Sequence, residues 1–222
     1  MLTRADAGAP EALWLRAEQQ NGGRGRLGRS WLSPPGNLYC STLVRLRPDD
    51  PPAHLLAFVT ALAVLDAVQT IVPECGVRLK WPNDVHIDGA KLAGILLERR
   101  RDVVVVGIGL NVALAPEIAG RTVTSLRDQG AMAQIDAAAV LDLLAERFAS
   151  RLHQWRSVPS ATLLEVWSAA AHKPGEAMAV QRGPDDRIEG VFDGLSADGA
   201  LRLRLADGRV ESVSAGDVHL VG

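Results

Sequence analysis

The sequence predicts an α+β protein: a mixed, largely antiparallel sheet packed with helices, followed by a small C-terminal β-barrel. Three observations carry this reading. Asp88-Gly89, flanked by apolar runs, is a strong two-residue hairpin signal. The apolar run over residues 55–72, interrupted by Thr60, Asp66 and Gln69, reads as a buried amphipathic helix rather than a membrane span. After Pro174-Gly175 the pattern changes to short alternating strands, with turns at Gly183-Pro184, Asp198-Gly199 and Asp207-Gly208.

The chain has 222 residues, of which 47% are hydrophobic and 23% charged, and a net charge of −2. This is the composition of a protein with a buried core, not of a disordered chain. It leaves no overall basic field for gripping nucleic acid, so a partner must be recognised by a local site. The two cysteines, Cys40 and Cys75, have neither metal-ligand spacing nor a framework count. No disulfide or zinc site is expected, and a reduced, cytoplasmic compartment is the natural setting. Residues 1–13 lack the apolar centre of a signal peptide.

Taken in order, residues 13–17 form a short strand that feeds a loop reading AEQQNGGRGRLGRSW. Turn chemistry at Ser33-Pro34-Pro35-Gly36-Asn37 precedes a strand over residues 39–46. Asp50 followed by Pro51 predicts a helix N-cap, with Leu55, Val59, Leu62 and Leu65 on the buried face. A strand over residues 77–81 stops at Pro82, and the hairpin about Asp88-Gly89 joins residues 85–87 to 90–97. Its register pairs Ile87 with Ala90 and His86 with Lys91, which makes Asp84 and Lys91 diagonal neighbours on one face, with Cα atoms roughly 7–8 Å apart. Arg99 to Asp102 form the next turn, and residues 103–112 a central buried strand that completes an antiparallel meander. Residues 114–124 carry no period and form a loop. Asp136 caps a long helix bearing Leu141, Leu144, Phe148, Leu152 and Trp155, and a second helix covers residues 160–172. The barrel strands fall at residues 177–182, 187–195, 200–205 and 209–214, with a domain boundary near Lys173 that divides 1–172 from 173–222.

Four clusters carry candidate chemistry. In the first loop, Gly23, Gly25 and Gly28 alternate with Arg24, Arg26 and Arg29. Glycine lets a backbone approach a ligand closely, and arginine presents fixed donors that match carboxylate or phosphate oxygens. KWPND over residues 80–84, Lys91 in KLAGILLE and Asn111 after GIGL complete the set. Each has a plainer reading: a solvated loop, a β-turn, an exposed strand lysine, a strand terminator. Jointly they describe a site for a nucleotide and a carboxylate. The chain has no GxxxxGK[ST] loop, and GIGLN lacks the third glycine and the helix of a dinucleotide fingerprint, so ATP would be held by another design.

GRGRLGRSW, KWPNDV, KLAGILLE and VVGIGLNV, in this order and at these intervals, closely resemble the signatures of the biotin protein ligases, in their form without a DNA-binding domain. The likeness spans residues 13–126, and the late SAGDVHL segment resembles the family's small SH3-like C-terminal barrel more loosely. The resemblance implies ATP-dependent adenylation of biotin, assisted by Mg2+, and transfer of biotin from biotinyl-AMP to one lysine of a biotin carboxyl carrier protein domain. It implies that Gln20, Gly23, Arg24, Gly25, Arg26, Lys91 and Gly94 contact biotin. Arg26, Arg29, Trp31, Asn83, Lys91 and Asn111 would contact the nucleotide. Lys91, Arg26 and Asp84 would carry the chemistry, Asp84 through the metal. The 114–124 loop would fold over the adenylate. A homodimer is compatible with the resemblance, whereas specific nucleic-acid or membrane binding is not implied.

Family members carry a Ser-Thr-Asn segment upstream that serves the ureido end of biotin, and only Thr3 precedes the matching region here. A strand and part of a helix that accompany that segment would then be absent, with a sheet edge left unpaired. Two other readings stay open: a lipoate or octanoate ligase or transferase of related fold, and an RNA-binding module that uses the Gly-Arg loop.

Overall fold

The apolar alternation in the first half of the chain builds a six-stranded antiparallel sheet. In the computed structural model, which describes residues 1–183 and 185–220, the strands are β1 (Trp14–Ala17), β2 (Leu38–Arg45), β3 (Val77–Lys80), β4 (Asp84–Ile87), β5 (Ala90–Arg100) and β6 (Val103–Leu110). They lie in the order β1-β2-β6-β5-β4-β3. The Val-rich β6 is therefore interior, as its apolar run predicts, and β4-β5-β6 form the expected meander. β1 and β3 are the edges of the described sheet.

The Asp88-Gly89 turn forms, with both residues at positive φ, and it sets the predicted pairs Ile87 to Ala90 and His86 to Lys91. One residue further on the register slips, so that Val85 faces Ala93 and Asp84 faces Gly94. This β-bulge was not expected. It turns both Leu92 and Ala93 into the core, each at 0% exposure, and so leaves Lys91 and Gly94 on the same, open face as Asp84.

Helices cover the opposite face. α1 (Leu2–Asp6) is a five-residue turn not foreseen in the polar N-terminal stretch; its Ala5 packs on Leu43 and Val103. α2 (Leu56–Ile71) is buried on nearly every side and packs on β3, β4, β5 and β6. The apolar stretch 53–71 is long enough to cross a membrane by composition alone, but 67% of it is buried inside the fold, which makes it a core helix. Its start corrects the sequence reading. The chain enters through a 3-10 turn, Ala53–Leu55, with no side-chain cap. Asp50 is instead taken by Arg156, whose Nε lies 3.1 Å from Oδ1. α3 (Ala137–Ser157) begins as predicted, with Asp136 Oδ1 accepting from the N–H groups of Ala138 and Ala139 at 2.9 Å. Its stripe of Leu144, Phe148, Leu152 and Trp155 is buried. α4 (Ser160–Ala169) ends three residues earlier than expected.

The C-terminal strands are β7 (Ala177–Gly183), β8 (Asp186–Leu195), β9 (Leu201–Arg204), β10 (Val210–Val213) and β11 (Asp217–Leu220), in the order β10-β9-β8-β7-β11. Four were expected. β11 carries almost no alternation in its sequence, since only Val218 of its four residues is buried. Of the predicted Gly183-Pro184 turn, Gly183 pairs with Asp186, and Pro184 lies outside the described residues. The barrel is seated on the main body by polar and apolar contacts. Trp81 Nε1 donates to Gly199 O at 3.1 Å, and a Cβ on Gly199 would stand 2.8 Å from the Phe58 ring. Met178, Val180, Leu201, Leu203 and Phe192 join the same continuous core as α2 and the main sheet.

Candidate active site

The open face of the sheet, the glycine-arginine loop and the corner before β11 enclose a cavity of about 390 Å³. Its floor is set by glycine. Gly94 and Gly109 face each other across β5 and β6, and the Trp31 indole lies against both. A Cβ on Gly109 would stand 2.5 Å from Trp31 Cε2, and one on Gly94 3.0 Å from Trp31 Cζ3. Side chains at these two positions would displace the indole.

The loop above is tied into a small hairpin. Trp31 N–H donates to Gly23 O at 2.9 Å and Gly25 N–H to Arg29 O at 2.7 Å. The tip, Arg26 to Gly28, puts Leu27 at φ 56° and leaves its side chain 80% exposed. Gly23 is confined by Trp31 O and by Gln20 Oε1, which would lie 2.5 and 2.8 Å from a Cβ. Gln20 Oε1 itself accepts from the Ser33 hydroxyl at 3.0 Å.

Across the cavity, Lys91 Nζ sits 2.6 Å from Asp84 Oδ1 and 5.4 Å from the centre of the Trp31 ring. This is the same-face pair the hairpin predicts, its side chains bridging the extra residue that the bulge inserts between them. His86 Nε2 stands 4.0 Å from the other carboxylate oxygen. Burial works against the charge on Asp84, but the His86 ring and the Lys91 ammonium outweigh it and hold the carboxyl at about 2. Asp84 is thus a fixed anion that aims Lys91. The neighbouring Lys80 is pushed below the usual lysine range by burial, against the partial compensation of Asp84.

The arginines reach the C-terminal barrel. Arg26 Nη1 donates to Asn83 Oδ1 at 3.2 Å and to Gly216 O at 3.3 Å, and Arg29 forms an ion pair with Asp217. Asp217 and Arg121 line the cavity, as do Ser41, Glu98 and Gly107, and none of these five was named from the sequence. Asp217 could not have been, since 188 residues separate it from its arginine partner. Five cationic side chains against three carboxylates line the space, an excess that suits a polyanion.

Of the residues singled out in the sequence, Gln20, Arg24, Gly25, Arg26, Arg29, Trp31, Asn83, Asp84, Lys91 and Gly94 line this cavity together. Gly23 borders the adjoining hollow beside Gln20 and Trp31. Asn111 is placed differently. It is 2% exposed, its Nδ2 donates to Thr124 O at 2.9 Å, and its Oδ1 faces the Asn37 amide.

Comparison with known proteins adds to this geometry. Residues 9–114 match the biotin/lipoate A/B protein ligase family, and residues 175–221 match the biotin protein ligase C-terminal domain. A biotin–[acetyl-CoA-carboxylase] ligase of Paracoccus denitrificans is 37% identical over 244 aligned positions, covering 100% of both chains. The biotin protein ligase of Aquifex aeolicus, solved in complex with biotin and ATP, superposes with a TM-score of 0.82 at 29% identity, over 96% of this chain and 90% of that one. The enzyme from Leishmania major, solved with biotinyl-5-AMP, gives a TM-score of 0.67 at 27% identity, over 96% and 92%. With both parts of its sequence matched and a relative aligned from end to end, the chain belongs to the biotin protein ligase family.

Proposed function

We infer that this chain is an ATP-dependent biotin–protein ligase that acts on a biotin carboxyl carrier protein domain. Biotin and ATP are its substrates. The observation that carries the reading is the Asp84–Lys91 contact of 2.6 Å, set beside a glycine floor and under an arginine loop. Neither a P-loop nor a nucleophilic side chain is needed for this chemistry.

A biotin carboxylate oxygen attacks the α-phosphorus of ATP, the bond to the bridging oxygen of the β-phosphate breaks, and pyrophosphate leaves. Two anions must approach each other, so the barrier is chiefly electrostatic. Lys91, held in place by Asp84, is positioned to neutralise both the carboxylate and the α-phosphate. Gln20 and Arg24 lie along the wall proposed for biotin. Arg26, Arg29, Trp31 and Asn83 lie along that proposed for the adenylate, and Asn111 acts indirectly, through its bond to Thr124 O in the neighbouring segment. The mixed anhydride is prone to hydrolysis, and the arginine loop with the 114–124 segment would exclude water from it. In the second step the neutral amine of a carrier lysine attacks the acyl carbon, AMP departs, and the nitrogen loses a proton to give the amide.

Mg2+ fits the donors present as a phosphate-borne ion. Among the described residues no three His, Cys, Asp or Glu side chains cluster as a cage, while Asp84 in the cavity would offer one carboxylate to an ion carried in on the nucleotide, the usual share for Mg2+. When bound, it supplies charge neutralisation on the phosphates. Residues 1–172 are proposed as the catalytic part and 173–222 as a cap whose corner meets the arginine loop. The net charge of −2 offers no basic field for nucleic acid and α2 is enclosed in the core, so the chain is proposed as a cytoplasmic enzyme that engages neither nucleic acid nor membrane and can pair as a homodimer.

Incubation with ATP, biotin and an apo carrier domain tests the reading. Avidin-detectable label on the carrier lysine is expected, and lipoate or octanoate should not replace biotin. Modification by lipoate alone would overturn it.

A further inference from the structure

Asn37 lies outside the cavity, between the arginine loop and β2, at 2% exposure. Its Oδ1 accepts from three consecutive N–H groups, those of Val112 at 2.9 Å, Ala113 at 3.0 Å and Leu114 at 3.2 Å. Its Nδ2 donates to Leu114 O at 2.9 Å and toward Asn111 Oδ1 at 3.4 Å. Successive N–H groups converging on one point form a concavity that ordinarily takes an anion. Here a neutral amide oxygen fills it, and the backbone bend is fixed without a buried charge.

The other end of the same segment is fastened through Asn111, whose Nδ2 donates to Thr124 O. There the backbone pairs on both sides of one residue: Lys91 N–H donates to Thr122 O at 2.9 Å, and Thr124 N–H to Lys91 O at 3.0 Å. The two amides thus close the neck of residues 113–124, and the returning strand of that neck is seated on the backbone of Lys91. Gly36, at φ +95°, lets the root of the arginine loop come close; a Cβ there would stand 3.0 Å from Ala113 Cβ.

We propose that Asn37 is a positioning residue for the ligase reaction: it sets the 113–124 segment over the adenylate, couples it to the root of the arginine loop and steadies the seat of Lys91. The inference rests on the ligase reading above. Asn37→Asp separates its two functions, since the carboxylate still accepts from the three N–H groups but can no longer donate to Leu114 O or Asn111. Asn37→Ala removes both.

The full chain is assayed for the rate of biotinyl-adenylate formation, for its release in a chase with unlabelled biotin, for melting temperature, and for hydrogen exchange by segment. Release is expected about tenfold faster in Asn37→Asp, as for a lost buried hydrogen bond, and faster still in Asn37→Ala. Formation should fall much less than release rises. Protection should be lost at residues 112–114 and 122–124 while β5 and β6 keep theirs. Unchanged release despite lost protection would overturn the proposal. So would formation and release that both simply track the melting temperature. If neither variant folds, the native chain decides: amides 112–114, although in irregular backbone, should exchange as slowly as β6, and fast exchange refutes the neck. Failure of the native chain to form any adenylate would sink the ligase reading instead, and the exchange data would still test the neck.

Discussion

Gly109 shows how much of this site depends on what a residue lacks. Without a side chain it gives the Trp31 indole a flat seat against β5 and β6; with a methyl group, carbon would lie 2.5 Å from the ring. Gly109→Ala should therefore push Trp31 into the cavity and raise the KM for ATP by about tenfold, at a smaller cost in melting temperature. An unchanged KM would show that the indole is free to move aside. Lys91 and Asp84 were legible in the sequence because a two-residue hairpin brings them together locally. The place of Asn111 was not. Its side-chain partner, Asn37, lies 74 residues away, and no local pattern distinguishes a buried amide from one that faces a ligand.

At the level of elements, periodicity worked where one face is buried and failed where it is not. The central strand β6, the stripe on α3 and the Asp136 cap follow directly from residue type and spacing. The N-cap expected at Asp50 failed because a distant arginine on α3 claims the carboxylate, a tertiary contact that outweighs local capping chemistry. The bulge in β4 and β5 was also invisible, although it decides which side chains face the cavity. The segment joining α4 to the barrel offers a test of pH linkage. His172 is buried there with its Nδ1 3.3 Å from Glu176 Oε2 and its ring 5.4 Å from that of Phe192. Burial pushes its pKa below the ordinary 6.5, and Glu176 compensates only in part. The unfolded chain thus binds the proton more readily, so this contribution to stability is present above about pH 6.5 and is lost as the pH falls through the lower folded value. In urea unfolding, the stability difference between the native chain and His172→Gln should shift against the native chain as the solution is acidified from about pH 7.5. A difference that stays constant would contradict a neutral buried imidazole.

On the scale of the whole molecule, the barrel is part of the site. Asp217 and Gly216 hold two arginines of the first loop, so the last strand and the first loop of the fold meet at the cavity. Sequence alone located the barrel but gave it no task, because the contact joins opposite ends of the chain. In the proposed reaction Lys91, aimed by Asp84, drives attack of the biotin carboxylate on ATP, whereas Arg26 chiefly retains the product. Biotin-dependent exchange of pyrophosphate into ATP measures it directly. The native chain should exchange only when biotin is present. Lys91→Ala should exchange about 10²–10³-fold more slowly, and Arg26→Gly should keep adenylation but release the intermediate faster. No exchange by the native chain, or full exchange by Lys91→Ala, would contradict the account.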